Sequence, residues 1–383
     1  MKIKDICTSV TDGSHNPPQG IEKSEYMMLS SKNIFDDEIT FDEPRFLSEK
    51  DFEREHKRTQ IAVGDVLLTI VGTVGRTAVV DEDMPAFALQ RSVAVLHPKN
   101  DVCLPRFLMY ALRGKRTYIE NRAKGVAQKG IYLKEVSDID IYIPDISNQE
   151  IIINKLDKVN TIIKLRQEEL LALDNLIKAR FVEMFGDPVS NPYGYDKVAL
   201  SDLADIKIGP FGSLLHKEDY IDGGHPLLNP SHIVDGKVSP DDKLTISDEK
   251  YEELSAYQLK TGDVVMGRRG EMGRCAVVPE DGFLCGTGSM LIRTKGEVTA
   301  DYIQKIISFP SFKKTIEDMA VGQTMPNLNV PIVSGFQIIK PPMEVQDRYY
   351  AFAEQVNKSK VAVQKALDET QMLFDSLMQK YFA

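Results

Sequence analysis

Two stretches of the chain, 198 positions apart (262 minus 64 for their first shared glycine), align without a gap and decide the fold. Ile61–Val80 reads IAVGDVLLTIVGTVGRTAVV, and Leu259–Val278 reads LKTGDVVMGRRGEMGRCAVV. Nine of the 20 aligned positions are identical, including a Gly-Asp-Val triplet, two glycines spaced three apart and a closing Ala-Val-Val. This density of identity indicates an internal duplication, so we expect two similar folded units.

The repeat extends outward from this block. Gly13-Ser14 matches Gly212-Ser213 upstream, and Val159-Asn160 matches Val356-Asn357 downstream at a shift of 197. The order along the chain is therefore a folded unit, a long helix, a second folded unit and a second long helix. We expect their boundaries at residues 1–146, 147–186, 187–342 and 343–383.

Each long helix carries an apolar stripe at heptad spacing. Ser147 followed by Glu150 is typical of a capping box and predicts where the first helix starts, and Gly186 with Pro188 predicts where it ends. Because each stripe is too long for a small domain to cover, we expect the two helices to pack together. The stripe consists of Leu156, Val159, Ile163, Leu170, Leu173 and Ile177 in the first helix and of Val356, Val363, Leu367, Phe374 and Leu377 in the second.

Charged residues interrupt both stripes. Arg166 and Arg180 lie in the first seam and Lys360 in the second. We interpret them as positions that set the register or face a partner. The alternative is that the two helices are unrelated surface helices.

The folded units have mixed patterning. Val63–Val80 is β-branched and punctuated by glycine, as buried strands with turns are. Leu104–Asn121 and Ala300–Met319 have helical spacing, and Ile139, Ile141 and Ile143 alternate as a strand would. The predicted fold class is therefore α+β, with two similar domains and two long helices.

Bulk composition excludes several classes of protein. No apolar run reaches the length of a membrane span, and the N-terminus lacks the apolar core of a signal peptide. The four cysteines are scattered without a CxxC pair, which favours a reducing cytoplasm and no metal or disulfide framework. The net charge of −10 disfavours indiscriminate nucleic-acid binding, but Arg106–Lys134 is strongly basic and permits a local basic surface.

No set of residues forms a catalytic constellation. Asn16-Pro17-Pro18-Gln19 approaches the catalytic motif of amino-methyltransferases, but Gln19 stands where an aromatic side chain would stack on a flipped base. Too few residues precede this motif to form a cofactor-binding strand and glycine loop. The six histidines do not cluster with acids or cysteines, and the Gly72 and Gly270 turns lack the Lys-Ser/Thr of a phosphate loop. We expect a chain that is not an enzyme and binds no metal or cofactor itself.

Two similar units joined by helices suit the reading of two separated DNA half-sites. Arg, Gln and Asn are suited to base edges, while Ser and Lys are suited to phosphates. The candidate DNA-binding residues in the first unit are Ser14, His15, Lys32, Arg76, Gln90, Arg91, Lys124, Gln128 and Lys129. Those in the second unit are Ser213, His232, Arg268, Arg269, Arg274, Gln323, Asn327 and Asn329.

Two features qualify this set. Arg76 and Arg274 occur in both copies, so they are alternatively structural partners of Asp65 and Asp263. The copies differ where Ile70-Val71 faces Arg268-Arg269 and where Gln128-Lys129-Gly130 faces Met325-Pro326-Asn327. We therefore expect the two units to read different sequences.

Together these residues resemble the specificity (S) subunit of type I restriction–modification systems, over the whole chain. The family's Gly-Asp strand start is present as Gly64-Asp65 and Gly262-Asp263, each followed by its pair of spaced glycines. Its Pro-Pro-x-x-x-Gln motif before the helix stands as Pro341-Pro342 to Gln346. In the first copy, Asp145 replaces the second proline.

The resemblance implies an architecture and a set of partners. Two target-recognition domains would be held apart by an antiparallel coiled coil with approximate two-fold symmetry. Two methyltransferase (M) subunits would dock, supply S-adenosylmethionine and methylate adenine in each half of a bipartite double-stranded DNA target. Restriction (R) subunits, which use ATP and Mg²⁺, would cleave unmodified DNA. No membrane would be involved.

Three alternatives stay open at this point. In the first alternative, the chain is a DNA-independent coiled-coil scaffold whose repeats bind proteins. In the second, it is a self-sufficient DNA methyltransferase. A specificity subunit that serves a fused methyltransferase–nuclease is a close relative which the sequence does not separate from the first interpretation.

Overall fold

The computed structural model describes residues 1–125, 129–320 and 327–382. By its contacts the chain divides into two compact units, unit 1 (Met1–Leu170 with Ala362–Ala383) and unit 2 (Leu171–Val361). Each unit thus contains one repeat and a part of each long helix. Both units mix helices and sheets, which confirms the α+β class and the two similar domains. The sequence-based boundaries of the four segments stay a prediction.

Unit 1 is built from short helices and strands that precede a long helix. Its helices are α1 (Ile3–Ile6), α2 (Glu49–Thr59), α3 (Pro105–Gly114), α4 (Arg116–Arg122), α5 (Leu133–Ser137) and the start of α6 (Ile146–Phe185). Its strands are β1 (Cys7–Asp12), β2 (Met27–Leu29), β3 (Ile34–Phe35), β4 (Glu38–Ile39), β5 (Arg45–Phe46), β6 (Val66–Thr69), β7 (Thr77–Val79), β8 (Phe87–Leu89) and β9 (Val93–Pro98).

The central sheet of unit 1 has the order β1-β9-β6-β7, with every neighbouring pair antiparallel. Strand β6 is buried along its whole length because both faces of the sheet are covered. Val66 and Leu68 pack on one side, with α3, and Leu67 packs on the other. A smaller sheet, β5-β2-β8, and the hairpin β3-β4 complete the unit.

Unit 2 repeats this plan. Its helices are α7 (Leu200–Leu203), α8 (Asp248–Glu253), α9 (Ala300–Ile307), α10 (Pro310–Met319), α11 (Val330–Ser334) and the first part of α12 (Met343–Phe382), with short 3-10 helices at Gly212–Leu214, Lys217–Asp219, Pro230–His232 and Ser255–Tyr257. Its strands are β10 (Lys197–Ala199), β11 (Ala204–Ile208), β12 (Tyr220–Ile221), β13 (His225–Leu228), β14 (Ile233–Val234), β15 (Lys237–Val238), β16 (Thr245–Ile246), β17 (Val264–Gly267), β18 (Cys275–Val277), β19 (Leu284–Cys285), β20 (Ser289–Thr294) and β21 (Gln337–Ile339).

The central sheet of unit 2 has the order β11-β20-β17-β18, which matches that of unit 1 strand for strand. The repeated Gly-Asp start also has one geometry. Gly64 and Gly262 have φ values of 87° and 85°, a region that favours glycine. Asp65 and Asp263 then accept the backbone N–H three residues upstream at 2.7 Å. The shared residues therefore build the same turn before the same buried strand.

The two long helices each contain 40 residues. The predicted capping box at Ser147 is wrong, because α6 begins at Ile146 and Asp145 accepts the backbone N–H of Asn148 at 2.9 Å. The predicted end is confirmed: Gly186, with φ 72°, donates its N–H to Val182 O at 2.8 Å.

Within each unit the two long helices run antiparallel. In unit 1, Lys155 lies near Tyr381 and Arg166 lies near Thr370. In unit 2, Asp174 pairs with Lys360, and the Phe181 ring lies 5.5 Å from that of Tyr349. The predicted stripe residues are all buried or half-buried. Leu156, Val159, Ile163, Leu170, Val363, Leu367, Phe374 and Leu377 lie in unit 1, and Leu173, Ile177 and Val356 lie in unit 2.

The charged residues of the seams make contacts inside the chain. Arg166 donates to Thr370 Oγ1 at 2.6 Å and also to the carbonyl of Ala366. Lys360 forms an ion pair with Asp174. Arg180 bonds Glu183 at 2.8 Å, and its guanidinium lies 5.4 Å from the centre of the Phe352 ring. These contacts agree with a role in setting the register.

A repeated glutamine fastens the start of each long helix. Gln149 Oε1 accepts from Leu104 N at 2.9 Å, and Gln346 Oε1 accepts from Thr299 N at 3.1 Å. Their amide groups donate to Pro144 O at 2.8 Å and to Pro341 O at 3.0 Å. Both glutamines are fully buried. The Pro-x-x-x-x-Gln spacing therefore places a side chain that connects the start of each long helix to the start of α3 in unit 1 and of α9 in unit 2.

Replacing Gln346 with methionine is therefore expected to destabilise the protein by about 2–3 kcal/mol, because it leaves the buried Pro341 O and the partly buried Thr299 N without partners. The measurement is the free energy of unfolding in urea. Gln355→Met, an exposed change in the same helix, is the control. Equal stabilities of the two variants would contradict the assignment.

Candidate nucleic-acid interface

Three loops of unit 1 meet at one end of its central sheet. Strands β1 and β6 end where their common neighbour β9 begins, with Asp12 opposite Ala94 and Thr69 opposite Val93. The segments Gly13–His15, Ile70–Arg76 and Gln90–Ser92 follow or precede these strand ends. We call this edge, and its counterpart in unit 2, the loop end of the sheet.

Backbone hydrogen bonds hold the loops of unit 1 together. Ser14 N donates to Leu89 O at 2.7 Å, and Arg91 N donates to Ser14 O at 2.9 Å. A fourth segment joins them, since Gly72 N donates to Lys129 O at 3.0 Å and Val71 forms a bridge with Gly130. The candidates are thus brought together by main-chain geometry that does not depend on their side chains.

Unit 2 has the same loop end, formed by Gly209–Phe211, Arg268–Arg274 and Gly286–Gly288. Gly209 N donates to Ser289 O at 3.1 Å, and Arg268 N donates to Gly288 O at 3.0 Å. The fourth segment attaches through a bridge between Arg269 and Asn327. The positions at which the repeats diverge, Val71 with Gly130 and Arg269 with Asn327, are therefore neighbours in both units.

The candidate side chains differ in exposure. His15, Lys32, Arg91, Lys124, Lys129, Arg269 and Asn329 are exposed, and Arg76, Gln90, Arg268, Arg274 and Asn327 are half-buried. Gln128 and Gln323 lie outside the described residues, and the side chain of Ser213 is likewise not described. Asn329 accepts Ile332 N at 3.0 Å as the cap of α11, so its side chain has a structural role.

Two candidates are corrected by their burial. Ser14 is 4% exposed and His232 is 8% exposed. His232 Nδ1 lies 2.7 Å from Leu227 O, inside the turn that it helps to form. Both side chains point away from solvent, so we leave them out of the proposed contact surface.

The alternative pairing of Arg76 and Arg274 with the repeated aspartates is wrong. Arg76 lies 4.9 Å from the centre of the Phe35 ring, and Arg274 pairs with Glu271 at 2.7 Å. The aspartates instead pair with residues at equivalent positions of the neighbouring strands β9 and β20. Asp65 pairs with His97 at 2.8 Å, and Asp263 pairs with Arg293 at 2.6 Å.

The Asp65–His97 pair makes stability depend on pH. Hydrogen bonding to the Asp65 carboxylate raises the pKa of His97 above its usual 6.5. When folding raises the pKa of a group, its protonation stabilises the folded state fully at pH values below the pKa of the group in the unfolded chain. This stabilisation is lost as the pH rises through the pKa of the group in the folded protein. We expect the free energy of unfolding to fall by about 1 kcal/mol or less between pH 6 and pH 8.

His97→Arg, which copies Arg293, is expected to remove that component of the pH dependence because the arginine stays charged. Urea unfolding at several pH values measures it. A variant that keeps the full slope of the parent protein would show that another group is responsible.

Basic side chains flank the glycine turn of unit 1. A cavity of about 380 Å³ is lined by Arg76, Arg116 and Lys129 together with Glu120 and the turn itself. Arg116 donates to Gly75 O at 3.1 Å and pairs with Asp36. Arg106, from the same basic stretch, is bound by Asp157 at 2.6 Å. Much of the positive charge predicted for this stretch is therefore structural, and its exposed part consists of Arg122, Lys124, Lys129 and Lys134.

In unit 2 the basic residues lie on the turn itself. Arg268 Nε donates to Asn327 Oδ1 at 3.1 Å, which orients the guanidinium. Burial and the neighbouring Arg269 cation lower the pKa of Arg268. Two adjacent guanidinium groups repel each other, so an anion bound beside them would be stabilised.

The structure also reveals a residue that the sequence alignment missed. Gly13 and Gly209 have equivalent hydrogen bonds, to Val93 O and Ser289 O, which sets the true shift at 196 (209 minus 13). The alignment of Gly13-Ser14 with Gly212-Ser213 is therefore wrong. The counterpart of His15 is Phe211, which is 62% exposed. An aromatic residue between Pro210 and Gly212 was the signal available in the sequence.

All four cysteines are free and buried, and burial raises the pKa of each thiol to about 12. Within the described ranges, no three His, Cys, Asp or Glu side chains group as a metal site requires. None of the described helices is long and apolar enough to cross a membrane.

Two characterised relatives match parts of the chain. The type I restriction enzyme EcoBI specificity subunit of Escherichia coli is 26% identical over 186 residues, which are 47% of this chain and 38% of the relative. The MjaVIII specificity subunit of Methanocaldococcus jannaschii is 19% identical over 277 residues, 67% of this chain and 64% of the relative. The matches span less than two thirds of either relative's length.

Solved structures share the fold. The S subunit of a type I restriction–modification system from M. genitalium gives a TM-score of 0.58 at 13% identity, with coverage of 100% of this chain and 95% of the other. A chain from a structural study of complex assembly and conformational transition in the type I R-M system gives 0.63 at 18%, with coverage of 100% and 96%.

The family model described as the type I restriction modification DNA specificity domain matches residues 1–175 and 192–370, which span both repeats. The chain therefore belongs to the family of type I restriction–modification specificity proteins.

Proposed function

We propose that this chain is a DNA sequence-recognition subunit, and that the loop end of each central sheet reads one half of a bipartite target. Family membership supports the class of function. The observation that carries the assignment to the loop ends is that the two units share their backbone geometry there but differ in their side chains.

Two similar domains that recognise different DNA sequences require this combination of shared backbone and different side chains. Main-chain bonds present the same four segments in both units, while the bridged pair is Val71 with Gly130 in one unit and Arg269 with Asn327 in the other. Arginine and asparagine make bidentate contacts with guanine and adenine respectively, whereas an apolar pair favours contact with a thymine methyl group. Two units that differ here would read different half-sites.

We propose that the chain itself recognises DNA and that its partners carry out catalysis, as its membership of the specificity family suggests. We propose that two methyltransferase subunits dock on the chain, provide S-adenosylmethionine and methylate adenine in each half-site. Restriction subunits that use ATP and Mg²⁺ would join the same complex. The four protonated, buried thiols fit a reducing cytoplasm.

The competing function is a DNA-independent scaffold in which the long helices are the active part. The exposed apolar side chains of these helices, such as Leu165 and Leu171, suit protein partners under either hypothesis. What favours DNA recognition is the basic pair at the loop end, the half-buried Arg268 and the exposed Arg269, which a scaffold does not need.

The test is a binding selection from random duplex DNA with the full chain in complex with its methyltransferase subunits. We expect enrichment of two short fixed sequences separated by an unread gap of constant length. A complex that forms normally and enriches no sequence would leave the scaffold as the better account.

A further inference from the structure

The position shared by His15 and Phe211 is the strongest feature that the fold and the proposed contacts leave unexplained. Scattered exposed apolar residues are ordinary on protein surfaces, so exposure alone assigns nothing to Phe211. Three further observations concern the backbone that carries it, its counterpart in the other unit and its surroundings.

The backbone on both sides of the ring is fixed. A Cβ on Gly209 would lie 2.0 Å from Gly286 O, so only glycine allows the loop to approach the neighbouring segment so closely. Pro210 follows, buried and with its φ restricted by the ring. Gly212 then adopts a φ of 63°. Phe211 is therefore exposed in a loop of specific geometry, which needs a glycine for the close backbone approach, a proline of restricted φ and a glycine in the left-handed region.

The same backbone presents a ring in the other unit. A Cβ on Gly13 would lie 2.1 Å from Leu89 O, the equivalent close approach. Ser14, like Pro210, is buried, and the next side chain, His15, is exposed again. His15 Nε2 lies 2.8 Å from Asp12 Oδ2, which orients the imidazole. Both units therefore display a planar side chain at one position, polar in the first and apolar in the second.

The loop that bears Phe211 lies beside the basic turn of unit 2, which carries Arg268 and Arg269. Gly209 bonds Ser289, and Arg268 bonds the adjacent Gly288, so the loop that bears the ring and the arginine turn are anchored side by side. In the described part of the chain, Phe211 belongs to no buried cluster and stacks on no other aromatic ring. An exposed ring beside two arginines suits contact with duplex DNA, because the cations would meet the phosphates while the ring packs on a thymine methyl group or wedges between base steps.

We propose that Phe211 contacts a base of the second half-site through its ring, and that the His15/Phe211 position helps to determine the difference between the two half-sites. The ring would pack on a base face or on a thymine methyl group, whereas His15 would donate or accept a hydrogen bond in the first half-site. This inference rests on the proposed function and adds a specificity residue to it.

The experiment compares Phe211→Ala, Phe211→Tyr and Phe211→His in the full chain bound to its methyltransferase subunits, on duplexes that carry the parental site. We expect Phe211→Ala to weaken specific binding roughly 10- to 100-fold, because apolar surface buried against the DNA is lost, and Phe211→Tyr to restore most of it. Phe211→His is expected to change the preferred base at one position of the second half-site and none in the first. Thermal unfolding should change little, because the side chain is 62% exposed and belongs to none of the buried clusters of the described residues.

A thymine-to-deoxyuridine substitution in the second half-site separates the two modes of contact. Sensitivity to the methyl group in the parent but not in Phe211→Ala indicates methyl packing, and insensitivity with restoration by tyrosine indicates stacking. Unchanged affinity and motif in Phe211→Ala and Phe211→His would overturn the inference. If charge reversal at Arg268 and Arg269 also had no effect, the proposed function itself would fail.

Discussion

Replacing Arg268 and Arg269 together with glutamate is expected to lower specific DNA affinity of the assembled complex at least about 100-fold, because each well-placed arginine contributes about 1–3 kcal/mol. Reversal of charge adds repulsion from nearby phosphates. Loss of methylation should follow at sites that depend on the second half-site. The measurement is equilibrium binding to a duplex with the selected target, at fixed salt.

The chain offers a matched control for this change. Lys260 precedes strand β17 and Lys295 follows strand β20, so both lie at the end of the same sheet opposite the loop end. Lys260→Glu with Lys295→Glu changes the net charge equally and is expected to leave specific binding within a few-fold of the parent. If both double variants lost affinity equally, the effect would be one of net charge, and the loop end would lose its support as the contact surface.

Shortening both long helices by the same amount is expected to abolish modification of the parental target and create activity on a target with a shorter spacer. Removal of seven residues from each helix keeps the apolar stripe in phase and shortens each by roughly 10 Å. At about 3.4 Å per base pair, the spacer would lose roughly three base pairs. The half-site sequences should be unchanged.

The segments to remove are set by contacts within the units. Deleting residues 168–174 and 358–364 removes Asp174 together with its partner Lys360 and leaves the Arg166–Thr370 contact in place. Deleting only one segment is the control and should reduce stability, since the remaining stripe loses its register. Selections that return the parental spacer from the doubly shortened chain would show that the helices do not set the spacing.

The repeat, the fold class and the long helices could be predicted from the sequence because local identities and heptad spacing are short-range signals. The start of α6 was misplaced because Asp145 and Ser147 are both good caps, and only the structure shows which one accepts the free amide. Strand pairing is not encoded locally. The register of β11 against β20 therefore corrected the loop alignment and brought Phe211 to the position of His15.

The candidate site was predictable as a set of loops but not residue by residue. Ser14 and His232 are residue types that bind phosphates and bases, yet burial removes both from the surface. The partners of Asp65 and Asp263 lie on the neighbouring strand, far along the chain, so sequence proximity favoured the wrong arginines. Burial and long-range pairing depend on tertiary packing, which residue type alone does not specify.

The central claim is that this chain gives sequence specificity to adenine methylation. Methylome sequencing of a host that carries the chain with its cognate methyltransferase, compared with a host that carries the methyltransferase alone, tests it directly. We predict a bipartite adenine-methylated motif that appears only with the chain, and replacement of one half-site when one repeat is exchanged. A demonstrated complex with no chain-dependent motif would contradict sequence-specific recognition.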